Sequence, residues 1–111
     1  MSSSTAMRSR LPARRASETF DFEVEGLNYH ATISRFPEGG CVAEIFLSNN
    51  KSGSQADSNV RDAAVAASLA FQYGCPLDVL RGALLRDLRG KAATPLCAAL
   101  DLVAERDAEK A

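Results

Sequence analysis

No tryptophan, a single histidine (His30) and no Cys-x-x-Cys pair occur in this 111-residue chain, and each shortage closes off a class of function. Cys41, Cys75 and Cys97 are odd in number and widely spaced, which fits reduced thiols and argues against a disulfide framework. With one imidazole and no paired thiols, a closed zinc site would have to be assembled from scattered residues, so no metal is expected. No run is apolar enough for a membrane span or a signal-peptide core, so the expectation is a cytoplasmic protein without a membrane partner. Nothing repeats at a fixed period, which excludes a solenoid. The length allows one small domain with tails. So small a core gains from a partner or from a second copy of itself, which makes a homodimer a candidate state.

The formal net charge of −1 hides an asymmetry, because Arg8, Arg10, Arg14 and Arg15 all precede the first acid, Glu18. Residues 1–17 read as a basic, serine-rich arm. With Pro12 inside it and no apolar periodic face, the arm is expected to be disordered in isolation. Pro12 also interrupts the amphipathic helix that a mitochondrial transit peptide would need.

From Glu18 onward the pattern changes. Phe20, Phe22 and Val24 alternate with Asp21, Glu23 and Glu25, the period of a strand with one wet face. Gly26 to Asn28 supply a turn, and Tyr29, Ala31 and Ile33 alternate with His30, Thr32 and Ser34 in a second strand. His30 lies on the polar face, where a lone histidine is usually a pairing residue of the sheet. After the turn Pro37–Gly40, Ala43, Ile45 and Leu47 mark one face of a third strand, and Val42, Glu44 and Phe46 the other. Glu44 sits between apolar neighbours, where it is either partly shielded and paired with a cation, Lys51 or an arginine of the arm, or simply faces solvent.

Three helices follow. The first runs from Asp57 to Tyr73 with Val60, Ala64, Ala67 and Phe71 on its buried stripe, Ser54 or Asp57 as its cap, and Gly74 as its stop. Cys75 and Pro76 open a second helix, where the helix dipole could lower the thiol pKa, although a small half-buried apolar side chain is the commoner role. Its stripe is Leu77, Leu80, Leu84 and Leu88, weakened at Gly82 and ended at Gly90. Thr94 and Pro95 start a third, with Leu96, Ala99, Leu100 and Val103 inward; Glu105 to Ala111 should fray. The fold class is therefore α+β, a three-stranded antiparallel meander followed by three helices packed on one face, spanning residues 18–105 with a frayed tail at 106–111.

Between the third strand and the first helix, Lys51, Gly53 and Ser54 form a polar loop at a helix start, where free amides and an ammonium suit a phosphate or carboxylate. The two-glycine spacing of a Walker loop is absent, so the commoner role of such a loop is a capped connection. No constellation of His, Cys and carboxylate suggests catalysis.

The segments "RLPARR", "AEIFLS", "KSGS", "LAFQYGCPLDVL" and "PLCAALDLVAE" resemble, in the same order, the C-terminal region of class II, adenosylcobalamin-dependent ribonucleotide reductases, which contains the TSCPD domain. The resemblance runs from about Arg10 to Glu105. It implies a place in ribonucleotide reduction, and so in deoxyribonucleotide supply for DNA synthesis. It does not extend to the family's catalytic barrel, thiyl-radical cysteine or cobalamin pocket, and Cys41, Cys75 and Cys97 do not match the family's catalytic cysteines. The expected role is an accessory or regulatory module with no catalytic residues and no bound cofactor, whose partner is a reductase catalytic chain. Lys51, Gly53 and Ser54 are its candidate anion or nucleotide contacts. Arg14, Arg15 and Glu44 are its candidate docking residues. The alternative is an independent nucleotide- or nucleic-acid-binding module using the arginine arm, whose binding would be strongly salt-dependent; the ordered part, however, carries an acid excess and offers no aromatic platform for bases. Ribonucleoside-diphosphate reduction by this chain alone is the least expected activity.

Overall fold

A computed structural model describes residues 7–13 and 15–110. Strands β1 (Ser17–Val24), β2 (Leu27–Arg35) and β3 (Val42–Asn49) form one antiparallel sheet in that spatial order, followed by helices α1 (Gln55–Gln72), α2 (Leu77–Ala83) and α3 (Pro95–Lys110). The α+β architecture is the one the hydrophobic periods imply.

One sheet face is dry. Phe20, Tyr29, Ala31, Ile33, Ile45 and Leu47 pack against Val60, Ala64, Ala67 and Phe71 of α1 and against Leu96, Ala99, Leu100 and Val103 of α3. Full burial of side chains such as Ile33, Ile45 and Leu100 contributes roughly 1.5–3 kcal/mol each. Alanines at 64, 67 and 99 let the helices approach the sheet closely.

The β1–β2 turn is tighter than the glycine position suggests. Glu25 (φ 54°) and Gly26 (φ 79°) are its two central residues, so it is a two-residue hairpin whose left-handed pair matches the twist of the strands. Leu27 and Asn28 belong to β2, opposite Val24 and Glu23. This register places Phe22 against Tyr29, with ring centroids 5.7 Å apart.

Helix α1 begins at Ser54, whose Oγ accepts the Asp57 amide at 3.1 Å. It ends in a Schellman motif. Gly74 sits at φ 102°, its amide donates to the Phe71 carbonyl at 3.0 Å, and the Cys75 amide donates to the Ala70 carbonyl at 2.9 Å. Besides packing on the sheet, α1 closes the edge of β3. The Ser68 hydroxyl accepts from the Ile45 amide (2.9 Å) and donates to its carbonyl (3.0 Å), while the Gln72 amide donates to the Ala43 carbonyl (3.1 Å). An edge strand that would otherwise offer unpaired backbone groups is thereby protected.

Two expectations need correction. Helix α2 stops at Ala83 rather than near Gly90, and buries none of its residues. Leu88, placed by its spacing on the helix stripe, is fully exposed. Residues 84–93 instead fold back as a hairpin, with Arg86 opposite Ala92 and a turn in which the Asp87 carboxylate accepts the amides of Arg89 (2.8 Å) and Lys91 (3.0 Å). The hairpin has a tertiary anchor that a local helix stripe does not register: Arg86 grips Asp101 of α3 through two bonds of 2.8 Å.

The second correction concerns the last charged residues, which continue α3 to Lys110 instead of fraying after Glu105. Arg35 of β2 bonds Asp107 at 2.8 Å and Glu18 of β1 at 3.3 Å, and the Arg106 guanidinium lies 4.5 Å from the Phe20 ring centroid. These contacts tie the final turns of α3 to the sheet.

Candidate functional site

The loop from Asn49 to Ser54 is organised around a carboxylate of the protein itself. Asp57, on the first turn of α1, is buried and accepts the Asn49 amide at 2.9 Å, the Gly53 amide at 3.2 Å and Arg61 Nε at 2.9 Å. The Asn49 amide, then the Arg61 side chain and the Gly53 amide, hold its carboxyl at about 2. The Lys51 amide donates to Asn49 Oδ1 at 2.8 Å, and the Ser54 hydroxyl donates to the Lys51 carbonyl at 2.7 Å. Lys51, Gly53 and Ser54 are thus brought together, but the Gly53 amide is already engaged by Asp57. An external anion here meets the exposed Lys51 side chain first.

Glu44 meets the arm. Its carboxylate accepts Arg15 Nε at 3.0 Å and an Arg15 terminal nitrogen at 2.8 Å, so the partner is an arm arginine rather than Lys51. Farther along the arm, Arg8 bonds the Gln72 side chain and the Ser9 amide donates to the Gln72 carbonyl at 2.7 Å. Between these contacts Arg10 and Pro12 lie beside Phe36, Pro37 and Glu38, so this part of the arm follows the β2–β3 connection at the end of the sheet. Among the described residues it has no helix or strand, yet it is bonded at both ends. Arg14, the other docking candidate, lies outside the described residues.

Sequence reasoning missed three features. On the wet face of the sheet, His30 stands opposite Ser48 and Thr32 opposite Phe46, and with Arg61 and Val65 of α1 they line a crevice of about 400 Å³. Asp21 fixes the His30 ring through Nδ1 at 2.6 Å. Four of these residues could have been grouped from strand alternation, but Arg61 and Val65 could not. Near the other end, Asp101 accepts from Arg86 and, at 3.0 Å, from Arg81; these arginines hold its carboxyl below the usual range, Arg86 most strongly. Finally, Cys41 and Cys75 line one cavity of about 470 Å³ with Phe36, Phe71 and Leu77, while Cys97 is buried with its thiol pushed up by that burial. Among the described residues, no group of three or more His, Cys, Asp or Glu side chains is placed to hold a metal ion, and no helix is long and apolar enough to cross a membrane.

With this geometry established, the relatives are informative. A vitamin B12-dependent ribonucleotide reductase of Streptantibioticus cattleyicolor is 35% identical over 72 residues, which is 65% of this chain and 12% of that protein. The enzyme of the same name from Streptomyces clavuligerus is 35% identical over 72 residues, 7% of its length. That of Rhodopirellula baltica is 34% identical over 73 residues, 66% of this chain and again 7% of the relative. The chain therefore spans only a small part, 7–12%, of the curated relatives it matches. No family model and no solved structure matches it. This chain is related to a segment of B12-dependent ribonucleotide reductases.

Proposed function

We propose that the chain is a module of the TSCPD type that docks onto, and regulates, a cobalamin-dependent ribonucleotide reductase, in the supply of deoxyribonucleotides for DNA synthesis. The observation that carries this reading is identity of 34–35% with a small segment of reductases from different bacteria. The chain does not perform the reduction. Adenosylcobalamin belongs to the reductase in this scheme, because cavities of about 400 and 470 Å³ lie at the lower end of the roughly 300–1,000 Å³ typical of small-molecule sites, and a corrin ring with its nucleotide tail does not fit them.

The hairpin offers a contact surface. Leu85 and Leu88 are 66% and 107% exposed, yet the backbone under them is fixed by Asp87, Arg86 and Asp101. A rigid hairpin with Leu88 at its tip and Leu85 at its base, where the Leu85 carbonyl accepts the Ala93 amide at 3.0 Å, loses little entropy on binding, which favours it as an anchor. Arg89 and Lys91 flank the tip, so its complement is an apolar pocket with an acidic rim. Arg15 and Glu44 hold the arm ready as a second contact.

The test is co-purification and turnover. Purified chain mixed with a B12-dependent reductase should form a complex or change its turnover, and Leu88→Asp should weaken both effects at least tenfold. Absence of both effects with the intact chain overturns the proposal. So does ribonucleotide turnover by the chain alone with adenosylcobalamin and a thiol.

A further inference from the structure

The crevice between the wet sheet face and α1 gathers groups that the fold itself leaves unused. Phe46 is 54% and Val65 58% exposed, although each lines a concave surface where apolar side chains are usually covered. Arg61 engages Asp57 through Nε alone, and its two terminal nitrogens have no partner among the described residues. His30 is bonded through Nδ1 to Asp21, which leaves Nε2 as the nitrogen available to a ligand. Thr32 and Ser48, both hydroxyl-bearing, also line the crevice, with Leu47 and Ala64.

This set has a definite chemical complement. The exposed Phe46 ring supplies the aromatic platform that the sequence reading did not find, and such a phenyl face takes a planar ring by stacking. A guanidinium with both terminal nitrogens free takes a phosphate through paired hydrogen bonds. Hydroxyls and an imidazole nitrogen take the hydroxyls of a sugar. The guanidinium and the imidazole are also held in place before any ligand arrives, Arg61 by Asp57 and His30 by Asp21, so binding costs little side-chain ordering. A volume of about 400 Å³ admits one ring, one sugar and one phosphate, and lies within the roughly 300–1,000 Å³ usual for such sites.

We propose that this crevice, formed by His30, Thr32, Phe46, Ser48, Arg61 and Val65, is a binding site for a nucleoside monophosphate. The site is distinct from the Lys51–Ser54 loop. It does not rest on the reductase reading, and either can fail without the other.

Titration of the full isotope-labelled chain with adenosine, guanosine, cytidine and uridine monophosphates, followed by amide NMR, tests it. At least one of the four should give saturable shifts at Thr32, Phe46 and Ser48, binding at least tenfold tighter than its free nucleoside or inorganic phosphate. Phe46→Ala, at an exposed position that folding does not need, should weaken binding at least fivefold. Arg61→Lys keeps the charge beside Asp57 but removes the paired donors; it should weaken the monophosphate at least fivefold and leave nucleoside binding unchanged. Lys51→Ala should have no effect. No saturable shift from any of the four overturns the proposal. So do shifts centred on residues 49–55 that Lys51→Ala removes, undiminished binding by Phe46→Ala, or phosphate binding as tightly as the nucleotide.

Discussion

Asp57 and Asp101 do the same work at two connections of this molecule, each gathering donors around one carboxylate, but they differ in reach. The partners of Asp57 are Asn49, Gly53 and Arg61, four to eight positions away. Those of Asp101 are Arg86 and Arg81, fifteen and twenty positions away. The first clamp holds a loop whose strand, cap and helix are already set by local sequence. The second decides the conformation of its segment, because without Asp101 the run Leu77, Leu80, Leu84, Leu88 is a plausible helix stripe. A local clamp trims a connection, whereas a distant one selects its fold.

If that distinction holds, Asp101→Ala has the larger effect of the two. It leaves Arg86 and Arg81 without their shared acceptor at a site where the carboxylate is 20% exposed, and the expected cost is about 2–3 kcal/mol. Residues 84–93 should lose amide-exchange protection before the sheet does. A urea midpoint that hardly moves, or protection lost uniformly, would show that the hairpin stands without its anchor.

Asp57→Asn comes second. With its oxygen still serving Asn49, the new amide nitrogen confronts both the Gly53 amide and Arg61 Nε, donor against donor. Protection should fall at Gly53 and Lys51 while the rest of α1 stays intact. Acid probes the same clamp in the unaltered protein. The folded carboxyl of Asp57 sits at about 2 against an ordinary 3.8, so its contribution is complete above about pH 4 and is lost as pH falls towards 2. Asp101 is also lowered and acts in the same direction. Urea midpoints should therefore decline between pH 4 and pH 2, and Asp57→Asn should flatten part of that decline.

The same contrast explains what could be read from the chain alone. Alternation in β1, β2 and β3 depends on neighbours two positions apart, and the stripe of α1 on neighbours three and four apart, so both are visible in the sequence. Ser54 as cap and Gly74 as stop are equally local. The truncation of α2 was not visible, because charged residues are common and nothing in "RGALLRDLRG" names Asp101 as the destination of Arg86. Helix α3 outlasts the expected fraying for a related reason: Arg35, seventy-two positions from Asp107, holds its last turns. In the loop, the polar composition of Lys51, Gly53 and Ser54 was legible, but the direction of the Asp57 carboxylate was not. The crevice was least legible of all, since Phe46 and His30 come from strands and Arg61 from a helix, and only their packing brings them together.

The smallest effect on stability should come from Leu88→Ser, and it sharpens the comparison most. Leu88 lies at the tip of the segment that Asp101 holds, yet it is fully exposed, so its replacement should shift stability by no more than about 0.5 kcal/mol. Removing a leucine that the fold does not use can weaken association only if a partner uses it. Asp101→Ala should weaken reductase association too, but through a loosened hairpin, with lost exchange protection and lower stability alongside. Leu88→Ser should weaken it with both unchanged. If Leu88→Ser binds as the unaltered chain does while Asp101→Ala does not, the hairpin contributes its shape rather than its leucine. If both bind normally, the anchored segment serves the fold alone and the docking surface lies elsewhere.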